Sequence, residues 1–241
     1  ATMAGKNLLI VGGAGFLGYY LVQTILHWNS NVGPADRIQL TVFDNYMRGV
    51  PEWLMRLEGT PALRLVKHGI TTPLPADMDP LPQNIEDFHF IIHAASIASP
   101  MYYRKYPIET MDANVNGLRF LLEYCLEQKM SSRAPVEGFL FYSTSEIYGD
   151  PPSTDIPTPE TYRGNVSCTG PRACYDESKR YGETLCVNFA REHGLPITIA
   201  RPVNNYGPGL KITDKRVLPD FAQDVLAGRD IVMLSDGSPT R

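Results

Sequence analysis

Tyr175 and Lys179 stand four residues apart in a segment whose pattern predicts a helix from Arg172 to about Glu192. At that spacing two side chains share one helix face, one turn apart. A tyrosine hydroxyl ordinarily ionises near ~10. Positive charge beside it favours the phenolate, which can then take a proton from a substrate hydroxyl. Taken alone, Tyr and Lys at this spacing are more often a solvated helix face. Ser143-Thr144-Ser145-Glu146 adds to the pair. It ends a predicted strand, and it offers hydroxyls to bond a reacting oxygen and a carboxylate to act as base or orient substrate. A capping cluster before a turn would read the same way, so context again decides.

The context is upstream. Gly12-Gly-Ala-Gly15-Phe16-Leu17-Gly18 follows an apolar run and opens a predicted helix. Glycines there permit a tight turn and let backbone N–H groups approach a pyrophosphate, while the helix N-terminus adds partial positive charge. Asp44 ends the next predicted strand, where a carboxylate accepts from the ribose hydroxyls of a dinucleotide. It also repels a 2′-phosphate, which favours NAD over NADP. Arg48 lies close in sequence and is the residue that could bind such a phosphate instead.

Elements of fixed order must position these groups. Strands are predicted at Leu8–Val11, Ile38–Phe43, Leu63–Val66, Phe88–His93, Gly138–Ser143 and Ile197–Ala200. Helices are predicted from Gly18 to about Trp28, from about Ile108 to Gln128, across Tyr175, and from about Val217 to Ala227. Pro73, Pro75, Pro80 and Pro82 mark a loop over 71–82, and 150–171 reads as a functional loop. Strands alternating with helices imply an α/β fold with a doubly wound parallel sheet, a Rossmann fold. In such sheets ligands bind beyond the carboxyl ends of the strands. There is no internal repeat.

The 241 residues are 43% hydrophobic and 20% charged, with a formal net charge of −4. That suits a globular protein with an ordinary core and argues against nucleic acid or an anionic membrane as partner, since both demand a basic surface. Cys125, Cys168, Cys174 and Cys186 form no Cys-x-x-Cys pair, and no His stands at zinc-ligand spacing. Free thiols in a reducing compartment and no metal are expected. Residues 7–35 carry no Asp, Glu, Lys or Arg, a length that could span a bilayer. Gly12, Gly13, Gly15 and Gly18 interrupt it, so strand, turn and helix explain it better, and no signal-peptide cleavage site follows.

Taken in order, Gly12–Gly18, His93-Ala94-Ala95-Ser96, Ser143–Gly149, Tyr175-x-x-x-Lys179 and Asn204-Asn-Tyr-Gly-Pro208 resemble the extended short-chain dehydrogenases that modify nucleotide sugars. The resemblance covers nearly the whole chain. Within that group, Gly170-Pro-Arg-Ala-Cys-Tyr-Asp-Glu-Ser-Lys-Arg180 and Tyr148-Gly-Asp150 are very similar to the UDP-glucuronate decarboxylases. The resemblance implies NAD as cofactor, bound by Gly12, Gly15, Phe16, Leu17, Gly18, Asp44, Asn45, Ile70, Ala94, Ala95, Ser96, Tyr175, Lys179 and Pro202. It implies catalytic roles for Thr144, Glu146, Tyr175 and Lys179. Thr144 would bond the reacting hydroxyl beside Tyr175, Lys179 would hold the nicotinamide ribose, and Glu146 would act near C5 of the sugar. Ser145, Asn204, Arg216 and Arg241 would contact the sugar nucleotide, the arginines at its diphosphate.

Position 145 discriminates within the group. Related dTDP-glucose 4,6-dehydratases carry an acid before the glutamate, which protonates a departing hydroxyl. Ser145 is a poor acid, and decarboxylation needs none. A 4,6-dehydratase or an epimerase is the alternative, and a non-catalytic NAD-binding sensor a more distant one, since sensors commonly lose the Tyr–Lys pair. Three segments depart from the family: His68-Gly69-Ile70 lacks an acidic residue before Ile70, and Arg201-Pro202-Val203 and Val166-Ser-Cys-Thr169 replace more typical runs. The resemblance further implies a cytoplasmic homodimer paired through two helices per subunit. Residues 1–200 would be the NAD-binding domain and 201–241 part of a substrate-binding lobe. Family members continue beyond the segment ending at Arg241, and that continuation would complete the lobe and carry a further arginine.

Overall fold

The structure, a computed structural model, describes residues 3–72, 74, 87–131, 133–212, 214, 216–233 and 236. Six strands form one parallel sheet: β1 (Asn7–Val11), β2 (Gln39–Asp44), β3 (Leu63–Lys67), β4 (Phe90–His93), β5 (Gly138–Tyr142) and β6 (Ile197–Ala200). Their order across the sheet is β3-β2-β1-β4-β5-β6. Leu8 to Val11 are buried without a break because β1 is central and covered on both faces. In register, Val11 stands between Phe43 and His93. The order reverses direction between β1 and β4, and connections leaving those two strands diverge to opposite faces. The crevice between them is where such sheets hold ligands.

Seven helices complete the described fold: α1 (Phe16–Ser30), α2 (Glu52–Met55), α3 (Pro100–Lys105), α4 (Pro107–Asn114), α5 (Asn116–Met130), α6 (Ala173–His193) and α7 (Val217–Leu226). Alternate strand residues feed two cores, as the period of two requires. Leu9, Val11, Phe139 and Phe141 pack with Leu118, Leu121, Leu122 and Cys125 of α5 and Cys186 of α6. On the opposite face Leu8, Ile10, Leu40 and Val42 pack with Val22 of α1. Buried Asn29 ties that face together: its amide donates to the Ile38 carbonyl and accepts from the Ile38 N–H, both at 2.8 Å. Helix α6, which carries Tyr175 and Lys179, ends at Gly194, which takes the left-handed conformation (φ 62°) and donates its N–H to Ala190.

All six predicted strands are present, with ends shifted by at most two residues. The single long helix expected from Ile108 to Gln128 is two. Val115 (φ −108°, ψ −65°) breaks the run between α4 and α5, although its N–H still reaches Met111. Two residues on, Gly117 leaves room for Ile70, whose side chain a Cβ would meet at 2.7 Å. Apolar periodicity runs straight through this kink, which is why the sequence pattern reads as one helix. The short α3, opened by Ser99-Pro100, is not in the sequence reading. The proline-rich stretch expected as a loop falls largely on residues 73 and 75–86, outside the described residues. Residues 7–35 form β1, the turn and α1, and among the described residues no helix is long and apolar enough to cross a membrane.

Candidate active site

The carboxyl ends of the strands open onto a cleft of about 1380 Å³. At one end β1 passes through the glycine turn into α1. Gly12 (φ 83°) donates its N–H to Phe43 at 2.7 Å, and a Cβ there would overlap the Ala95 backbone. Only glycine lets β1 and the loop after β4 close so tightly. Gly15 caps α1 with no side-chain bond, so the first-turn N–H groups face the cleft for an anion. Asp44 accepts from Ala14 N–H (3.0 Å) and Tyr46 N–H (2.8 Å), one on each oxygen. Burial raises its pKa, and the two backbone bonds oppose that rise. Each oxygen keeps acceptor capacity for a ribose hydroxyl. Ser96 Oγ, also lining the cleft, is buried with no hydrogen-bond partner. A helix N-terminus for pyrophosphate, a carboxylate with spare acceptors and an orphaned hydroxyl fit a bound dinucleotide. Phe16, Leu17, Gly18, Asn45, Ile70, Ala94, Ala95 and Pro202 line the same cleft.

At the other end β5 delivers Ser143 and Thr144. Backbone bonds from Ser143 to Ala200 (2.8 Å) and from Ser145 to Pro202 (3.0 Å) carry the strand pairing past its formal end and tie this loop to the segment after β6. Thr144 Oγ1 accepts from Glu146 N–H at 3.3 Å. Tyr175, from the first turn of α6, meets Thr144 here, and each is only 7% exposed. Burial pushes the Tyr175 phenol up to about 12, while hydrogen bonding with Thr144 pulls the other way. The ring of Tyr103 on α3 stacks against it.

Lys179 lies one turn further along α6 and is buried. Its Nζ donates to the Tyr142 carbonyl at 2.7 Å and lies 4.9 Å from the centre of the Phe141 ring. Burial without a carboxylate partner lowers its pKa to about 7. Beneath it His93 is wholly buried and pushed down to about 3, by burial first and by Lys179 second. Tyr175 and Lys179 share a helix face and line one cleft, as expected. The largest charge effects on the phenol come from Glu146, Arg216 and Asp176. The lysine is anchored on the strand.

Glu146 is ion-paired with Arg172, whose Nε also reaches Asp176 at 3.3 Å. This pairing orients the carboxylate toward the cleft it lines. Arg201 grips Glu183 through two bonds of 2.9 and 2.7 Å and Tyr148 at 3.1 Å, which fixes the segment after β6 to α6. Ser145, Asn204 and Arg216 all line the cleft, whereas Arg241 lies outside the described residues.

Arg48, which could in principle have met a 2′-phosphate, has its Nη2 bonded to Asp214 at 2.6 Å and its guanidinium 4.6 Å above the Tyr102 ring. Asp214, Tyr102, Tyr103 and the role of Arg172 are absent from the sequence reading. Ser99-Pro100, a helix-opening dipeptide, could have signalled α3 and its tyrosines. Nothing local marks Asp214, whose partner stands 166 residues away. Among the described residues no cluster of His, Cys, Asp and Glu could hold a metal ion, and the four cysteines are free thiols.

Comparison with known proteins shows the family. The model of the NAD dependent epimerase/dehydratase family matches residues 8–241. The chain is 38% identical over 235 residues to UDP-glucuronic acid decarboxylase 3 of Arabidopsis thaliana, covering 98% of this chain and 61% of that protein. It is 34% identical over 240 residues to UDP-glucuronic acid decarboxylase 1 of Xenopus tropicalis, covering 98% of this chain and 50% of the relative. Among solved structures, a UDP-glucose 4-epimerase from Thermotoga maritima, determined with UDP-glucose, matches with a TM-score of 0.75 at 26% identity, over 96% of this chain and 66% of that one. The chain thus spans half to three-fifths of the length of these curated relatives. With the glycine turn, Asp44 and the Tyr175 cluster in place on a six-stranded doubly wound sheet, the chain belongs to the NAD dependent epimerase/dehydratase family.

Proposed function

We propose that this protein is an NAD-dependent nucleotide-sugar decarboxylase that converts UDP-glucuronate to UDP-xylose or a 4-keto pentose. The observation that carries the reading is the meeting of Tyr175 and Thr144, both nearly buried, at the mouth of β5 beside Glu146. Bound NAD would supply a hydride acceptor for the sugar's C4 and, in its oxidised form, a positive charge that favours the Tyr175 phenolate. Tyr175 takes the proton of the C4 hydroxyl, and Thr144 hydrogen-bonds the same oxygen. The C4 ketone is then β to the C6 carboxylate. The C5–C6 bond breaks, carbon dioxide leaves, and the electron pair is delocalised onto the ketone oxygen. A proton returned to C5 and a hydride returned to C4 give the pentose. Glu146, oriented by Arg172, stands to manage the C5 proton, and Lys179 holds the nicotinamide ribose. Asn204, Ser145 and Arg216, with Arg241, contact the sugar nucleotide.

Ser145 supports decarboxylation over dehydration, because no acid stands there to protonate a leaving hydroxyl. Epimerisation shares the first oxidation and is the alternative, consistent with the similarity to a UDP-glucose 4-epimerase. Residues 1–200 make the NAD-binding domain, and the segment from 201, including α7, contributes to a substrate lobe. Exposed Val217, Leu218, Val225 and Leu226 on α7 suit a surface that further structure covers. The protein acts in the cytoplasm as a homodimer. Carbon dioxide release from UDP-glucuronate by the intact protein with NAD, abolished in Tyr175→Phe, tests the reading. Turnover without carbon dioxide release would overturn it.

A further inference from the structure

Asp214 is 1% exposed, and its single carboxylate serves two arginines from distant parts of the chain. Oδ1 accepts from Arg48 Nη2 at 2.6 Å, and Oδ2 lies 2.9 Å from Arg216 Nε. The second contact is an ion pair and not a hydrogen bond, so Arg216 Nε and Asp214 Oδ2 are each buried without a hydrogen-bond partner. Both guanidiniums are about a third exposed and line the cleft. Arg48 is held from a second side by the Tyr102 ring, and its carbonyl accepts from Lys211 Nζ at 2.9 Å. The backbone of Asp214 is pinned in turn, its carbonyl accepting from Ser99 Oγ at 3.3 Å.

Two arginines held by one carboxylate keep one net positive charge, and their remaining N–H groups face the cleft. Paired planar donors of this kind match the oxygens of a diphosphate. Arg48 thus shares its carboxylate partner with Arg216. We propose that Asp214 is a positioning residue that gathers Arg48 and Arg216 into one subsite for the substrate's diphosphate, with Arg48 a specificity-determining contact. The inference rests on the nucleotide-sugar reading above.

The intact protein loaded with NAD is titrated with UDP and with UMP by calorimetry. Arg48→Ala weakens UDP binding by at least about tenfold and leaves UMP binding nearly unchanged, since one charged bond to phosphate is worth that much. Arg48→Lys, which keeps charge but loses the fork, falls between. Asp214→Asn also weakens UDP binding, and combined with Arg48→Ala it loses less than the sum of the two, because part of the Asp214 effect acts through Arg48 and the rest through Arg216. NAD affinity, read by tryptophan quenching in the same variants, stays near that of the wild type. An unchanged UDP affinity in Arg48→Ala overturns the inference, as does a loss confined to NAD. If Asp214→Asn does not fold, the Ala and Lys variants of Arg48 decide alone. A wild-type protein that binds no nucleoside diphosphate would sink the nucleotide-sugar reading itself, whereas a wild type that binds UDP beside an indifferent Arg48→Ala sinks this inference only.

Discussion

The ring of Tyr103 lies flat against the ring of Tyr175, with centroids 5.3 Å apart and planes within 11°. Tyr103 is 1% exposed and its hydroxyl has no hydrogen-bond partner. The ring, and not the hydroxyl, therefore supports the tyrosine. Tyr103→Ala is expected to cost roughly 3–5 kcal/mol of stability, the usual loss for a large aromatic in a core. Tyr103→Phe keeps the stack and relieves a buried unpaired hydroxyl, so urea denaturation should find it as stable as wild type or more so. A Phe variant weaker by more than about 1 kcal/mol would mean that the hydroxyl has a partner.

Tyr175→Phe removes the proposed proton acceptor and leaves the stack intact. Its kcat should fall by about 10³, within the range of general base catalysis, with KM little changed. Thr144→Val should lower kcat less, by about tenfold, through loss of one hydrogen bond to the reacting oxygen. Steady-state kinetics on both variants checks this. A large rise in KM with kcat preserved would assign these residues to binding alone.

Lys179 links the site to pH-dependent stability. Its pKa is about 7 in the fold and near ~10.4 in an unfolded chain. Between those values the unfolded chain binds more protons, so Lys179 makes stability rise as pH rises from 7 toward 10. Below pH 7 the cost of burying the charge is fully present. Lys179→Met removes that cost. The Met variant should exceed the cofactor-free wild type by a few kcal/mol near pH 7, with the gap closing toward pH 10. Urea midpoints at several pH values give the comparison, and a gap independent of pH would contradict it.

In the proposed reading Asp44 bonds the cofactor's ribose. Asp44→Ala strands the N–H groups of Ala14 and Tyr46 and removes that proposed acceptor. NAD affinity should drop about 10- to 100-fold, while NADP, no longer repelled, should lose much less. Fluorescence titration with both dinucleotides separates the two effects. Equal losses for NAD and NADP would count against a ribose contact.

Much of this was legible in the sequence, for physical reasons. Leu8–Val11 and the glycines after it combine a buried strand with a turn that only glycine permits, and both signals are local. The Tyr175–Lys179 pair is local too, since helix periodicity fixes their shared face. What escaped is non-local. Asp214 meets Arg48 across 166 residues, and no periodicity announces such a pair. Val115 breaks a helix inside an unbroken apolar pattern, at the point where Gly117 makes room for Ile70. Lys179 is bonded to the Tyr142 carbonyl, a contact set by how α6 packs on β5 and invisible to spacing.

The most direct test of the account is to give the intact protein NAD with UDP-glucuronate and, separately, with dTDP-glucose, and to weigh the products by mass spectrometry. Ser145 and the Tyr175 helix predict loss of carbon dioxide from UDP-glucuronate and no loss of water from dTDP-glucose. Water lost from dTDP-glucose, with UDP-glucuronate returned unchanged or merely epimerised, would contradict the account.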